Sequence, residues 1–408
     1  MTSRERERGR GASKPYLRRL LAQLAWLPLC PLAWWSRRDP TLWVFGAWHG
    51  AQYADNARYL YRHVRDHEPG LRAVWLAHDP DVVSRVQGEG GEAELAYSLA
   101  GTRLALRAGR ALVTHSAEDV NAHAIVGAEL VSLTHGTPLK HMGHDARSAR
   151  LGPFTRLFDR QVKRWLPGKR SPDRMLVASE VAKTRMMSAY ALPECRVAAL
   201  GYPRWQAFEE DAVGSLCRGG IEPDEYAGLL LYAPTLRLQG QGELDLAQGE
   251  QLEALLPWLE RERLLLLVRG HVSLKMQGLT ALLGRSPYLH DLPVSRFPDV
   301  NALLPAMDGL ITDYSSVMYD FACLSRPIVL MAPDLEAYQT HDVGLYGDYR
   351  GDAPGPVITS WSELPDAWRA VKTGQHTRQL ADFVARHAAL HDGQECHRII
   401  DYLWKRGD

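Results

Sequence analysis

Residues 133–140 read LTHGTPLK and place a histidine where a short apolar run ends. A neutral imidazole at His135 could accept a proton from an attacking hydroxyl. Gly136 lets a ligand approach the backbone closely, and Thr137 is held extended because a proline follows it. Lys140 could pair with a phosphate. Alternatively, His135 bonds a neighbouring carbonyl and Lys140 is solvated, but the surrounding residue types slightly favour the functional interpretation.

Two further clusters also follow apolar runs. Arg269 and His271 come after five apolar residues in LLLLVRGH. Arginine is suited to holding phosphate oxygens and histidine to donating to one of them, although an exposed pair on a loop explains this stretch about as well. Arg237 follows the predicted strand in LLLYAPTLR, and taken alone it is a weak indication of a binding site.

The stretch GLITDYSSVMYDFACLSRP forms the fourth cluster. Thr312 and Asp313 stand at the tip of a predicted strand, and Ser315 and Ser316 open a helix predicted over 315–324. Backbone N–H groups and the helix dipole favour an anion at such a start. Ser315 could equally be an N-cap, which is compatible with anion binding because both use the same geometry.

The four clusters together predict a site for a polyanion such as a nucleotide diphosphate. The sequence has no Walker A loop, no GxGxxG at a strand–helix turn, no HExxH and no Gly-x-Ser-x-Gly. These absences leave hydrolase chemistry without support and do not indicate metal dependence, so we expect neither a metal nor a cofactor.

Strands and helices alternate through the sequence, which predicts an α/β fold with parallel sheets. We expect two Rossmann-like domains facing a cleft. The predicted segments are a membrane-associating stretch at 1–40, an acceptor-side domain at 41–203 and a donor domain at 204–408. Strands are predicted at 42–48, 72–78, 111–116, 129–135, 174–179, 228–235, 263–271, 308–313 and 327–333. Helices are predicted at 51–64, 98–110, 248–260, 315–324 and 376–406, with caps at Asp79 and Ser179.

The composition is that of a globular protein with no general affinity for nucleic acid. The chain has 408 residues, of which 46% are hydrophobic and 24% charged, and its formal net charge is zero. A neutral chain argues against a nucleic-acid partner. The five cysteines show no CxxC spacing, which indicates neither a zinc site nor a disulfide framework and favours a reducing setting.

The N-terminal segment has a different charge and hydropathy. Residues 1–38 carry nine Arg and Lys against two Glu, and residues 20–36 are almost entirely apolar. That run is too short to cross a bilayer, and Pro28 and Pro31 would interrupt a helix. Tryptophans and arginines suit the headgroup layer, so we expect an interfacial anchor binding anionic lipids on the cytoplasmic face of the membrane. A flap packed on the main body is the less favoured alternative, and a signal peptide lacks a small-residue cleavage site.

Six stretches resemble the CDP-glycerol glycerophosphotransferases. FGAWHGAQYADNARYLY, LTHGTPLKHMGHD, GYPR, LYAPTLR, RGHV and TDYSSVMYDFACLSRPIVL occur in the order expected of that family, over roughly residues 41–375. The resemblance implies a glycosyltransferase-B-like fold, monotopic at the membrane. It further implies transfer of glycerol phosphate from CDP-glycerol to a hydroxyl of a lipid-linked or polymeric polyol-phosphate or glycan acceptor. CMP would leave, in the synthesis of teichoic acid or a capsule polymer.

The resemblance also assigns residues. It makes His135 the base and places His271, Thr312, Ser315 and Ser316 at the donor pyrophosphate. The sequence departs from the family pattern at two places. Val272 follows the second histidine, where proline is usual, and the stretch after Tyr338 keeps only part of the family's sequence motif.

Other functions remain open on the sequence. The donor could be CDP-ribitol or a nucleotide sugar, or the chain could be a non-catalytic module that binds an anionic polymer. The chain has little room beyond two domains, which weakly favours a primase or a short-chain polymerase.

Overall fold

The described residues form two parallel sheets with helices between the strands. In this computed structural model the described residues are 26–146, 167–235, 249–270, 282–341 and 344–404. The strands are β1 Asp39–Gly46, β2 Arg72–Ala77, β3 Ala93–Leu95, β4 Ala108–Val113, β5 Glu129–Ser132, β6 Arg174–Val177, β7 Val197–Ala199, β8 Gly228–Ala233, β9 Leu264–Val268, β10 Leu289–Asp291, β11 Gly309–Thr312, β12 Ile328–Met331 and β13 Val357–Ile358.

The helices fill the intervals between these strands. They are α1 Leu29–Trp35, α2 Asp55–His67, α3 Pro80–Gly88, α4 Leu99–Arg107, α5 Glu180–Tyr190, α6 Ala212–Arg218, α7 Gly249–Glu262, α8 Val317–Ala322, α9 Leu335–His341, α10 Leu364–Lys372, α11 Thr377–His387 and α12 Glu395–Trp404. The α/β class and the parallel sheets predicted from the sequence are therefore confirmed.

The first sheet has seven strands in the order β3-β2-β1-β4-β5-β6-β7. The chain runs outward from β1 through β2 to β3 and then returns to place β4 on the other side of β1. Gly46 at the end of β1 is the register partner of Val113 at the end of β4, so the loops that follow these two strands begin side by side.

The second sheet has six strands in the order β10-β9-β8-β11-β12-β13. Successive residues of β8 enter different cores, since Leu229 and Leu231 pack in one apolar cluster while Leu230 and Tyr232 pack in another. Side chains alternate between the faces of a strand, so both faces of this sheet are covered. Such burial explains why its strands read as continuous apolar runs.

The chain divides into two compact units. The first unit comprises Met1–Tyr53, Tyr61–Ser132 and Arg156–Arg174, and the second comprises Ala54–Leu60, Leu133–Thr155 and Met175–Asp408. The domain boundaries predicted from the sequence stay a prediction, because compactness alone does not define a folding domain.

Helix boundaries show where the sequence patterns were accurate. Asp79 accepts a hydrogen bond from the Asp81 N–H and Ser179 accepts one from the Ala182 N–H, so both predicted caps are confirmed. The helix predicted over 315–324 is shorter, because the two serines lie in the turn before α8. The helical region predicted over 376–406 is two helices, α11 and α12, separated by a turn that includes Gly393.

The start of the described chain contains a helix that the sequence analysis did not expect. Residues 1–25 lie outside the described part, but α1 forms despite the two prolines, because Pro28 is its N-cap and Pro31 lies in its first turn. Proline is tolerated there, since the first N–H groups of a helix have no partner within it. Within the described residues, none of the helices combines the length and apolar character that a bilayer crossing requires.

Candidate functional site

The loop after β5 presents His135 and belongs to the second unit. Its backbone is unusual, with Thr134 at φ 53° and Gly136 at φ 155°. The buried amide of Asn56 donates to the carbonyl oxygens of Leu133 and Thr134, each at 3.0 Å. A non-glycine residue with positive φ persists only where its surroundings hold it, so Asn56 helps to fix the turn from which half-buried His135 projects.

Arg204 is the centre of a buried polar network behind this loop. Its Nη1 donates to the backbone oxygen of His135 at 2.8 Å and to Asp55 Oδ1 at 3.0 Å. Its Nε and Nη2 donate to the two carboxylate oxygens of Asp320 at 3.1 and 2.8 Å. Trp205 Nε1 also donates to Asp320, at 3.0 Å. The network therefore ties the His135 loop to α8 and to the start of α2.

The charges of this network support one another. Burial works against the charged guanidinium of Arg204, but attraction from Asp320 and Asp55 outweighs it and raises the pKa of Arg204. Burial raises the pKa of Asp320, and the Arg204 charge opposes that rise. Because Arg204 makes a two-pronged contact with Asp320, the side chain is fixed in orientation as well as in charge.

Gly136 brings the His135 loop against the turn that precedes α8. A Cβ built on Gly136 would lie only 2.8 Å from Ser316 Oγ. Ser315 Oγ accepts a hydrogen bond from the Val317 N–H at 3.4 Å, whereas the Ser316 side chain makes no capping bond. The loop that carries the predicted base therefore lies against the turn that carries the predicted serine donors, although His135 and Ser316 are 181 positions apart in the sequence.

Thr312 and Asp313 lie beside this turn but are buried. Thr312 Oγ1 donates to the Ala233 carbonyl at 2.7 Å, and Asp313 Oδ1 accepts from the Thr235 N–H at 2.8 Å. Tyr349 donates its hydroxyl to the Asp313 carbonyl at 3.0 Å. Both side chains thus hold the loop that follows β8, and direct substrate contact by them stays a prediction.

Lys140 and Arg269 have partners within the second unit. Lys140 Nζ lies 5.4 Å from the centre of the Tyr338 ring, and its backbone forms a bridge with Leu345. Arg269 donates to the carbonyl oxygens of Phe297 and Pro298 at 2.7 and 3.2 Å. Burial lowers the pKa of Arg269. The structure therefore gives both side chains a local role, and phosphate binding by them stays a prediction.

The remaining predicted site residues, His271 and Arg237, lie outside the described residues. Gly136 and Thr137 are buried in the His135 loop, where substrate contact is likewise a prediction. Among the described residues, no three His, Cys, Asp or Glu side chains group as metal ligands.

Four residues of the network were not assigned roles from the sequence: Asp55, Asn56, Arg204 and Asp320. Asp320 carries the clearest sequence signal, because it is a charged residue in VMYDFA, a helix that is otherwise apolar and entirely buried. Charged residues are rarely buried without a partner, so such a position predicts a buried cation somewhere in the fold. The sequence does not say which of the many arginines that cation is.

Comparisons with known proteins identify the family of this chain. Residues 29–405 match the family described as CDP-Glycerol:Poly(glycerophosphate) glycerophosphotransferase. The teichoic acid glycerol-phosphate transferase of Staphylococcus aureus is 25% identical, over 90% of this chain and 94% of its own. The teichoic acid poly(glycerol phosphate) polymerase of Staphylococcus epidermidis is 27% identical, and the match covers 90% of this chain but 51% of the polymerase, so this chain spans about half the length of that relative.

Solved structures of a wall teichoic acid polymerase are similar to most of this chain. A histidine-to-asparagine variant of the wall teichoic acid polymerase TagF, soaked with CDPG, has 26% identity and a TM-score of 0.70, over 90% of this chain and 89% of that one. UDP-GlcNAc 2-epimerase from Neisseria meningitidis has 10% identity and a TM-score of 0.52, over 90% of this chain and the whole of that chain, and shares the fold alone.

The family match covers most of the chain and confirms both the predicted family and its enzyme class. The chain therefore belongs to the CDP-glycerol:poly(glycerophosphate) glycerophosphotransferase family.

Proposed function

We propose that this protein transfers glycerol phosphate from CDP-glycerol to a hydroxyl of a lipid-linked acceptor, with release of CMP. The observation that carries the proposal is the contact between the His135 loop and the serine turn, where a Cβ on Gly136 would lie 2.8 Å from Ser316 Oγ. A base and a set of phosphate-binding donors must be adjacent for phosphoryl transfer, because the attacked phosphorus lies between them.

The proposed reaction is an in-line displacement. The acceptor hydroxyl oxygen attacks the phosphorus that bears glycerol, and His135 takes the hydroxyl proton. The new oxygen–phosphorus bond forms as the bond from that phosphorus to the bridging oxygen breaks, and CMP leaves with the bridging oxygen. Ser315, Ser316 and the N–H groups at the start of α8 stabilise the charge that develops on the departing phosphate. His271 and Arg269 would join them there.

The decisive test compares His135→Ala with His144→Ala, an exposed histidine of the same segment. CMP release is measured with CDP-glycerol and a lipid-linked acceptor. Loss of a general base lowers turnover by about 10²- to 10⁴-fold. We expect that loss for His135→Ala with donor binding retained, and wild-type turnover for His144→Ala. Loss of donor binding in a folded His135→Ala protein would move His135 to a binding role.

A second donor is favoured by one group of relatives. The ribitol-phosphate polymerase TarK of Staphylococcus aureus is 25% identical, over 68% of this chain and 52% of its own. A panel of CDP-glycerol, CDP-ribitol and nucleotide sugars, scored for the nucleotide released, separates these donors. Product sizing then distinguishes addition of one unit from polymerisation. If no donor is turned over or binds, the protein is a polymer-binding module and the proposed reaction is wrong.

We also propose peripheral attachment to the cytoplasmic face of the membrane through α1. Leu32, Trp34 and Trp35 are 58%, 68% and 88% exposed, while Ala33 on the opposite side of the helix is buried. The guanidinium of Arg38 donates to the carbonyl oxygens of Ala33 and Ala105, which fastens the helix to the first unit. Exposed tryptophans beside basic residues suit the headgroup layer of an anionic membrane.

Sedimentation with anionic vesicles tests this attachment. The double variant Trp34→Ser, Trp35→Ser should lose most of its vesicle binding, because two large apolar side chains no longer enter the interface. Leu99→Ser is the matched control, since Leu99 is 71% exposed on the same unit but lies on α4. Unchanged sedimentation of the double variant would refute the assignment of α1 as the contact.

A further inference from the structure

The loop after β1 in the first unit has a strained backbone. Trp48 and His49 adopt φ 50° and 53°, and Gly50 follows at φ 74°. A left-handed conformation costs about 1–2 kcal/mol per non-glycine residue, and a bulky aromatic residue rarely adopts it. Two such residues in succession persist only if other contacts hold them, and residues held this way cluster at functional sites.

Asp119 supplies those contacts. Its side chain is fully buried, and Oδ1 accepts the His49 N–H at 2.8 Å. Oδ2 accepts the N–H groups of Thr114 and His115, both at 2.8 Å. The Trp48 N–H donates to Thr114 Oγ1 at 3.3 Å. One carboxylate therefore clamps the loop after β1 to the loop after β4.

The clamped loops present an aromatic surface with polar groups at its border. The Trp48 ring is 4.6 Å from the His115 ring, and Trp48 is 37% exposed. The His49 side chain is 60% exposed, and its ring lies 5.2 Å from that of His115. Glu118 lies beside it, with Oε2 4.0 Å from His49 Nδ1. We refer to Trp48, His49, His115 and Glu118 as the aromatic platform.

The platform lies where the topology of the first sheet reverses. The chain leaves β1 toward β2 and β3, and only afterwards adds β4 on the other side of β1. In open parallel sheets, ligands bind outside the carboxyl ends of the strands at this reversal, because the two neighbouring loops turn away from each other and leave a crevice. Trp48 and His115 follow the two strands that flank it.

We propose that the aromatic platform binds a neutral sugar ring, the saccharide part of the acceptor; this rests on the proposed function. The flat Trp48 ring can pack on the apolar C–H face of a pyranose, because an aromatic ring offers a large contact area with few rotatable bonds. The His115 ring, tilted by 51° to that of Trp48, can contact the edge of the same sugar. The imidazole of His49 and the carboxylate of Glu118 can hydrogen-bond to ring hydroxyls. The charge of Lys169, which lies 3.5 Å from Glu118 Oε1, is offset by the carboxylates of Glu118 and the buried Asp119, so the neutral ring rather than the phosphodiester part of the acceptor fits.

Saturation-transfer NMR on the full-length protein tests the platform. The probes are N,N′-diacetylchitobiose as a neutral disaccharide, glycerol 1-phosphate as a ring-free polyol phosphate, and CMP. We expect saturation of the disaccharide ring protons by the wild-type protein and at least tenfold weaker binding by Trp48→Ala. Trp404→Ala is the control, since Trp404 is 40% exposed on the second unit. A thermal melt of each variant establishes that it is folded.

The outcomes separate this inference from the proposed function. Disaccharide binding that is absent, or that Trp48→Ala leaves unchanged, overturns the platform assignment, as does loss of CMP binding alone in that variant. In the transfer assay, Trp48→Ala should raise KM for a glycan-linked acceptor about tenfold and leave KM for CDP-glycerol unchanged. If no CDP-polyol is turned over while the platform still binds the disaccharide, the proposed reaction fails and the sugar site stands.

Discussion

Replacement of Arg204 by lysine tests whether the buried network positions the predicted base. Arginine makes four contacts here, two with Asp320, one with Asp55 and one with the His135 carbonyl, at 2.8 to 3.1 Å. Lysine keeps the positive charge but concentrates its donors on one nitrogen, so it cannot reach both carboxylates and the carbonyl together. We take two of the four contacts as lost.

The magnitude follows from the burial of this cluster. Hydrogen bonds to charged groups contribute about 1.5–3 kcal/mol each, so loss of two should lower the free energy of unfolding by about 3–6 kcal/mol. Urea denaturation measures that change. Turnover should fall as well, because His135 loses the donor that fixes its carbonyl, and a displacement of about 1 Å at a reacting group can lower a rate about 100-fold. KM for the donor should change little.

The matched control is Arg326→Lys. Arg326 lies in the same unit and donates to the carbonyl oxygens of Pro305 and Met307, both at 2.6 Å, without touching the His135 loop. It should lose stability with turnover unchanged. If Arg204→Lys is folded and transfers at the wild-type rate, Arg204 does not position His135. If its unfolding free energy falls by less than about 1 kcal/mol, the energetic reasoning about the buried pair is wrong.

Two further predictions concern the same unit. Gly136→Ala should lower both stability and turnover, because its Cβ would meet Ser316 Oγ at 2.8 Å. The control is Gly393→Ala, which also has a positive φ but no atom within 4 Å of the added Cβ, and which should lower stability alone. Equal turnover in the two variants would refute the inference that the Gly136–Ser316 contact matters for transfer. His387 concerns pH: burial, and then the charges of nearby arginines, lower its pKa from 6.5 to about 4. As pH falls, the unfolded state therefore takes up the His387 proton before the folded state does. The stability contributed by neutral His387 is fully present above pH 6.5 and is lost toward pH 4, so the free energy of unfolding should fall by about 2 kcal/mol between pH 7 and pH 5. His387→Leu should remove that part of the pH dependence in urea denaturation, and an unchanged slope would contradict it.

The regular elements were largely predictable because burial dictates their composition. The run LLLLV becomes β9 with all five residues buried, and LLLYA becomes most of β8. The strands predicted over 129–135 and 263–271 include His135 and Arg269, whereas the observed strands end at Ser132 and Val268 and leave both residues just beyond them. Short strands such as β3, β10 and β13 were missed, since two or three residues carry no periodicity to read.

The network behind His135 could not be predicted because its contacts are distant in the sequence. Arg204 and Asp320 are 116 residues apart, and Arg204 and Asp55 are 149 apart. Neither helical nor strand periodicity relates residues at such separations. The sequence could show only that Asp320 is a charged residue on an apolar helix, which predicts that a partner exists and leaves its identity open.

The loops that follow β1 and β5 share one physical arrangement. Trp48 and His49 in one loop, and Thr134 in the other, have left-handed backbones that persist because hydrogen bonds hold them. In each case a buried charged side chain bonds the backbone of the loop or its neighbour: Asp119 accepts three backbone N–H groups at the first loop, and Arg204 donates to the His135 carbonyl oxygen in the second. A buried charge that lost those backbone partners would be strongly destabilised, so the strained loop and the charge hold each other in place. In this protein a buried charged residue therefore accompanies each of the two loops for which we propose a binding or catalytic role.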